Sequence, residues 1–303
     1  MSRKLKVLVL GGNGFIGSQI VAKLANQAEV IIGTRQLTMQ KNMRTIRMQS
    51  MLSIHDWKQI VSNFDMVVNC VGILRERKSE SYEAIHHLAV AALAQACAWH
   101  EISLIHLSAL GLSEHADSGF IRSKLAGERA VLASSAMATI VRPSLLDGDG
   151  GFGAKWFRRV AAWPVQFVMK SEGLVAPLQV SDLGEAIANL IFLPQALRPT
   201  IVELGGSETL SIPDYLTLLR KVRQQSSAVQ IAAPKLMVRL VSHIFDLLAW
   251  TPLSFGHYEL MQGHNVPSVN ALPKLLGRKP SNLGQNDEEL ANKGALLTQE
   301  ASW

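Results

Sequence analysis

Residues 6–27 read KVLVLGGNGFIGSQIVAKLANQ. The apolar run at 6–10 stops at a glycine, as a strand buried on both faces of a parallel sheet does. Ile16, Ile20, Val21 and Leu24 then recur on one face of a helix. Between strand and helix lie Gly11, Gly12, Asn13, Gly14, Phe15, Ile16 and Gly17. Such a turn has a physical purpose. One glycine permits the tight bend, the next lets phosphates approach the backbone, and the third lets helix and sheet pack closely. A pyrophosphate then meets unpaired N–H groups at the positive end of the helix dipole. Glycines also make plain turns, but a preceding strand and a following amphipathic helix favour a dinucleotide cradle.

The same alternation continues outward from this unit. EVIIG (29–33), DMVVNCVG (65–72), ISLIHLS (102–108) and ATIVRP (138–143) read as strands. HDWKQIVSNF (55–64), EAIHHLAVAALAQACAWH (83–100) and residues 120–134 read as helices. Strands alternating with helices predict an α/β fold, a Rossmann-type doubly wound parallel sheet. After Pro143 the pattern changes to the glycine-rich SLLDGDGGFGAKW (144–156). The expected organisation is a dinucleotide-binding domain over 1–145, to which 176–195 returns, and a smaller, mainly helical substrate or partner region over 146–277. A polar tail over 278–303 is expected to fray. Asp182 is placed near a helix N-terminus.

The 303 residues are 48% hydrophobic and 18% charged, with a net charge of +6 and a pI of about 9.4. The basic residues are scattered and form no stripe interleaved with aromatics, so no nucleic-acid partner is expected. Cys70 and Cys97 are the only cysteines. Both lie in apolar stretches without metal-like spacing and are expected as buried thiols in a reducing compartment, with no metal site. MSRKLKVLVLGG leaves no room for a signal-peptide core, so no cleaved leader is expected. A cytoplasmic location follows, with the option of peripheral attachment to the inner face of the membrane.

The second strand ends IIGTRQ. Sites for NAD usually place a carboxylate there for the ribose hydroxyls. Here stand Thr34 and Arg35, and an arginine can pair with a 2′-phosphate. NADP(H) is therefore expected over NAD(H), against the plainer reading of Arg35 as a solvated surface residue.

Taken together, GGNGFIG (11–17), VVNCVG (67–72), LIHLSALG (104–111), RSKLAGE (122–128), VRPS (141–144) and PLQVSDLGEAI (177–187) resemble the extended and atypical branches of the short-chain dehydrogenase/reductase superfamily. Within it, the chain is similar to the subgroup of the NADPH-binding accessory subunit of mitochondrial complex I and bacterial relatives linked to ubiquinone metabolism. AWTPLSFGHYELM (249–261) extends that similarity. The resemblance implies that Asn69, Cys70, Val71 and Gly72 lie beside the adenosine and Ser108 near the nicotinamide. Lys124 would hold the nicotinamide ribose. Arg142 and Pro143 would open the loop into the second region.

The departures are informative. The acid often found near the adenine is missing from MQSMLS (48–53), and His86 stands where a structural asparagine is usual. Phe120 occupies the position of the tyrosine that handles a proton in the enzymatic members. That proton transfer is typically worth about 10²–10⁴ in rate. Lys124 and Ser108 remain as catalytic candidates, and Lys124 retains a purpose in cofactor binding. His106, His115, Ser118, Ser123 and Tyr82 are the candidate substitute proton carriers, with His115 the best placed.

Two stretches suggest a membrane or partner surface: PKLMVRLVSHIFDLLAWTPLSF (234–255), with Trp250 and Phe255 as anchors, and KWFRRVAAWPVQFVMK (155–170). The first is also readable as a core helix. The functional expectation is an NADP(H)-binding oxidoreductase for a hydrophobic or quinone-like substrate. The alternative is a non-catalytic NADPH-holding protein of a respiratory or ubiquinone-biosynthesis assembly. A nucleotide-sugar epimerase or dehydratase is disfavoured because that chemistry also needs the tyrosine.

Overall fold

The structure, a computed structural model, describes residues 3–35, 44–48, 51–77, 80–169, 171–234, 237–242 and 254–283. A seven-stranded parallel sheet forms its centre. The strands are β1 (Lys6–Leu10), β2 (Glu29–Thr34), β3 (Arg44–Arg47), β4 (Met66–Asn69), β5 (Ser103–Leu107), β6 (Ala138–Pro143) and β11 (Ile201–Leu204), in the order β11-β6-β5-β4-β1-β2-β3. The doubly wound expectation is met, with the strand order reversing between β1 and β4.

The apolar runs are continuous because each strand is covered on both sides. Val7 and Val9 enter one core with Ile20 and Leu24 of α1 (Phe15–Leu24) and Leu183 and Ile187 of α6 (Val180–Phe192). Leu8 and Leu10 point the other way, to Trp57 of α2 (Ile54–Val61) and Leu93 of α3 (Ala89–Trp99). This is the period-two alternation of a strand with helices on both faces.

The stretch 83–100, expected as one α-helix, begins instead as a π-helical segment, Glu83–Leu88. It lies against α4 (Gly119–Ala133), where a Cβ on Gly127 would stand 2.0 Å from the carbonyl oxygen of His86. The two backbones touch there, and π-bulges often accompany such functional positions.

Beyond β6, the second region is built on α5 (Phe152–Ala161) and α7 (Ile212–Val222), joined by short strand pairs. β7 (Leu146–Asp147) pairs with β10 (Leu178–Gln179), and β9 (Leu174–Val175) with β12 (Leu210–Ser211). β8 (Val165–Met169) runs parallel to β13 (Val229–Ala233). The region over 146–277 is expected to be mainly helical, and strand β13 is a correction to that expectation. AVQIAA is too short and exposed to declare itself until it meets VQFVM. Residues 237–242 are helical, but 243–253, including Trp250, fall outside the described residues. α8 (Phe255–Gln262) and α9 (Leu272–Leu276) follow.

Asp182 lies three residues past the N-cap Gln179 and is buried. It accepts hydrogen bonds from Arg278 (2.9 Å) and from the backbone of Ser281 (2.6 Å), tying residues 278–281 to α6. No helix among the described residues is long and apolar enough to cross a membrane.

Candidate dinucleotide site

Strand register gathers the predicted positions at one edge of the sheet. Leu10 sits between Gly33 and Asn69, and Asn69 beside His106. Gly11, Cys70, Ser108 and Ser144 therefore follow the carboxyl ends of neighbouring strands, and Thr34 ends β2. This edge, at the β1/β4 reversal, is where open α/β sheets take ligands.

Gly11 has a φ of +73°, and its N–H donates to the carbonyl of Gly33 (2.8 Å). A Cβ on Gly17 would lie 2.3 Å from the Gly11 carbonyl oxygen, a clash with backbone that cannot yield. Helix α1 starts at Gly14 without a side-chain cap and without an acid in its first turn. Its free N–H groups and dipole thus remain available to an anion. The ring of Phe15 lies under the loop of the second region, where a Cβ on Gly151 would stand 2.7 Å from it.

Arg35, largely exposed, is paired with Glu80, which is only 16% exposed at its side chain. The backbones of Arg77 and Glu80 exchange hydrogen bonds of 2.9 and 3.0 Å, closing the turn that presents Glu80. Sequence reasoning missed Glu80, which is 45 residues from its partner and carries no local signal.

Asn69 accepts the N–H of Val71 (3.1 Å), and its amide meets His106 Nδ1 (3.2 Å). This holds the turn from Cys70 to Gly72. Burial pushes the Cys70 thiol up to about 12, so it stays protonated at neutral pH.

His86 packs against this turn, a Cβ on Gly72 standing 3.7 Å from its Nε2. Its Nε2 accepts the N–H of Ile73 (3.0 Å), and its Nδ1 meets Ser123 Oγ (3.1 Å). Ser123 in turn donates to the Phe120 carbonyl (3.0 Å), so His86 is neutral with its proton on Nδ1. Burial, then the nearby Lys124, push His86 down to about 2 and His106 down to about 3.

Lys124 donates weakly to the Leu107 carbonyl (3.5 Å). Burial pushes its ammonium down to about 8, against the opposing pull of Glu128 one turn later. Ser108 Oγ is buried and has no hydrogen-bond partner among the described residues. A buried hydroxyl left unpaired costs free energy unless a ligand or water meets it. Ser108 and Lys124 therefore fit the polar side of a nicotinamide riboside, just as the glycine turn fits a pyrophosphate.

Arg142 is differently placed. Its guanidinium is held by the buried Glu128 and lies 3.8 Å from Glu203. Pro143 ends β6, and its carbonyl accepts the N–H of Leu110 (3.0 Å).

Phe120 is buried and ringed by aromatics. Its centroid lies 5.6 Å from Tyr82, 5.5 Å from His86 and 5.2 Å from His257. A Cβ on Gly256 would touch it at 2.8 Å. Burial, then Arg75, push His257 down to about 4. Tyr82 turns its hydroxyl to the Leu74 carbonyl (2.9 Å). Ser118 caps α4 by accepting the N–H of Ile121 (3.3 Å), and His115 is exposed on the preceding loop. A cavity of about 310 Å³ opens beside Phe120, lined by Tyr82, Asp117, Ser118, Arg239, Phe255 and Gly256. Arg239 and Asp117 pair across it at 3.3 Å.

Comparison with known proteins agrees with this geometry. The family model for the NAD dependent epimerase/dehydratase family matches residues 7–173. A Dictyostelium discoideum protein, mitochondrial NADH dehydrogenase (ubiquinone) 1 alpha subcomplex subunit 9, is 26% identical over 261 residues, which are 82% of this chain and 72% of that protein. The dTDP-4-dehydrorhamnose reductase of Mycobacterium tuberculosis is 28% identical over 212 residues, 62% of this chain and 66% of the reductase. Among solved structures, an NADPH-dependent quinone oxidoreductase of Escherichia coli, complexed with NADPH, superposes with a TM-score of 0.73 at 12% identity, covering 94% of this chain and 99% of that one. With its glycine turn, strand order and family-model match in agreement, this chain belongs to the NAD dependent epimerase/dehydratase family, within the extended short-chain dehydrogenase/reductases.

Proposed function

We propose that the protein binds NADP(H) at this edge and serves as an oxidoreductase for a hydrophobic, quinone-like acceptor. The backbone from Gly11 to Gly17 takes the pyrophosphate, and Thr34 and Arg35 take the phosphorylated ribose. Asn69 to Gly72 borders the adenosine, while Ser108 and Lys124 hold the nicotinamide riboside. When bound, the reduced nicotinamide supplies a hydride, two electrons, and no proton.

The observation that carries the acceptor class is Phe120. A carbonyl reduced to an alkoxide needs a strong proton donor beside it. Here that position holds a phenyl ring closed in by Tyr82, His86 and His257. A quinone accepts hydride to give a stabilised phenolate, which takes its proton from water. The aromatic walls of Phe120, Phe255 and Tyr82 suit such a ring. The Escherichia coli neighbour is by name a quinone oxidoreductase that uses NADPH, and the Dictyostelium relative is by name part of a ubiquinone-reducing enzyme. Both support the reading.

A second reading, an NADPH-holding component of a respiratory or ubiquinone-biosynthesis assembly, is favoured by the same ring, since it removes the acid and keeps Lys124. NADPH fluorescence on binding and NADPH oxidation by soluble quinones separate the two. The oxidoreductase reading expects both signals, and Gly14→Asp abolishes both. Tight binding with no turnover on any quinone selects the second reading. Phe120→Ala is expected to keep affinity within about threefold, whereas Lys124→Ala weakens it by about tenfold, the value of one charge-assisted hydrogen bond.

A further inference from the structure

In the β8–β13 ribbon, β8 alternates between a buried and a bare face, while β13 beside it is exposed from Val229 to Ala232. On the buried side, Gln166 donates to the carbonyl of Ala161 (3.0 Å), and Val168 joins Tyr215, Leu216 and Leu219 of α7. On the other side, register places Val165 beside Val229 and Phe167 beside Ile231. These four alternate residues share a face. Their exposures are 42%, 63%, 65% and 44%. An apolar quartet of this kind, with a phenylalanine two-thirds bare, marks an interaction surface.

The charge around it is predominantly basic, with Asp149, Glu172 and Asp214 at its margins. Residues 151–171 and 215–242, which contain α5, β8, most of α7 and β13, hold nine lysines and arginines and no aspartate or glutamate. Arg158 and Arg220 are buried, and Arg220 donates to the carbonyls of Ala161 (2.6 Å) and Trp163 (3.0 Å). Lys155, Arg159, Lys221 and Arg223 are exposed. Because β8 and β13 run parallel, the C-terminal ends of α5 and α7 both precede the same end of the ribbon. Arg159, Lys221 and Arg223 therefore collect there, together with Trp163, which is 45% exposed and edge-on to Trp156.

We propose that this bare ribbon face docks the protein onto an anionic lipid bilayer, with Phe167, Ile231, Val165 and Val229 entering the interface and the bases at the ribbon's end meeting lipid phosphates. Aromatic and aliphatic groups bordered by an excess of cations are the composition of a peripheral membrane surface. A protein partner is the weaker fit, because its surface would have to match a predominantly basic border as well as an apolar strip. The surface lies in the second region and stands independently of the dinucleotide assignment.

The test is cosedimentation of the full chain with phosphatidylcholine vesicles, with and without about 30% phosphatidylglycerol. Binding is expected only with the anionic lipid and is expected to be lost in high salt. The double variant Phe167→Ser/Ile231→Ser is expected to bind about tenfold more weakly or less, and Arg159→Ser/Lys221→Ser several-fold more weakly. Both variants remove exposed groups, so dinucleotide affinity and the melting temperature should be unchanged. A parent protein that stays in the supernatant with anionic vesicles overturns the proposal. So does an apolar double variant that binds as the parent does. A parent that is dimeric in solution and made monomeric by Phe167→Ser/Ile231→Ser would assign the face to a second copy instead, and would also overturn it.

Discussion

Glu80 should decide how strongly this site discriminates between NADPH and NADH. Its carboxylate holds Arg35, the cation that the proposed NADP(H) reading assigns to the 2′-phosphate. Freeing Arg35 breaks an ion pair whose arginine is 66% exposed, which costs about 0.2–1 kcal/mol. A bound 2′-phosphate would also feel Glu80. Two negative charges about 7 Å from a carboxylate repel it by roughly 1 kcal/mol in water-like surroundings, less in salt. Glu80→Gln removes both effects while keeping the side chain's shape. NADPH affinity is then expected to rise about three- to tenfold and NADH affinity to stay level, since 1.4 kcal/mol is tenfold. Arg35→Ala should erase the preference for NADPH, and Arg35→Ala/Glu80→Gln should regain only the part due to direct repulsion, about fivefold or less in NADPH affinity. Titration of dinucleotide fluorescence at low and high salt measures all four. Equal responses of NADPH and NADH to Glu80→Gln would refute the reasoning. So would a preference that survives Arg35→Ala.

Gly17→Ala should abolish dinucleotide binding and lower the melting temperature, because its methyl group would meet the Gly11 carbonyl at 2.3 Å; unchanged binding would mean the turn is not the cradle. His86, His106 and His257 are held neutral, at about 2, 3 and 4, so the unfolded chain takes up protons that the folded chain refuses as pH falls below 6.5. Stability should drop between pH 6.5 and about 4.5 by up to about 1.4 kcal/mol per histidine per pH unit, read as urea midpoints, and a flat profile would contradict their burial. Lys124→Met should weaken the cofactor yet stabilise the free protein at pH 7. Below pH 8 the ammonium is charged in both states and only the folded state bears its desolvation. The variant's advantage should therefore shrink as pH rises from 8 towards 10.5, and thermal melts across that range would show it.

What the sequence disclosed and what it hid follow from the range of the interactions. The glycine turn, the covered strands and Lys124 were legible because their determinants lie within one βα unit or one helical turn. Glu128, four residues after Lys124, was legible in principle by the same spacing. Glu80 and His257 were not, since each meets its partner across more than 40 residues of chain. The ribbon was half legible. The aromatics and bases of 155–170 suggested a surface, but β13 is unremarkable alone, and only its register beside β8 turns four scattered apolar residues into one face. The same logic explains Phe120. As a single letter it marks a missing hydroxyl. In the fold it is the centre of a ring cluster drawn from the π-helical segment, α4 and α8, three elements that must meet for the cavity to exist. A tyrosine restored there would need a partner for its hydroxyl among groups already committed: Tyr82 to Leu74, His86 to Ile73 and Ser123, and His257 to Ser254. The loss of the proton donor is thus built into the packing around it. Phe120→Tyr alone should not restore carbonyl reductase activity, because the neighbours that would orient the phenol are engaged elsewhere.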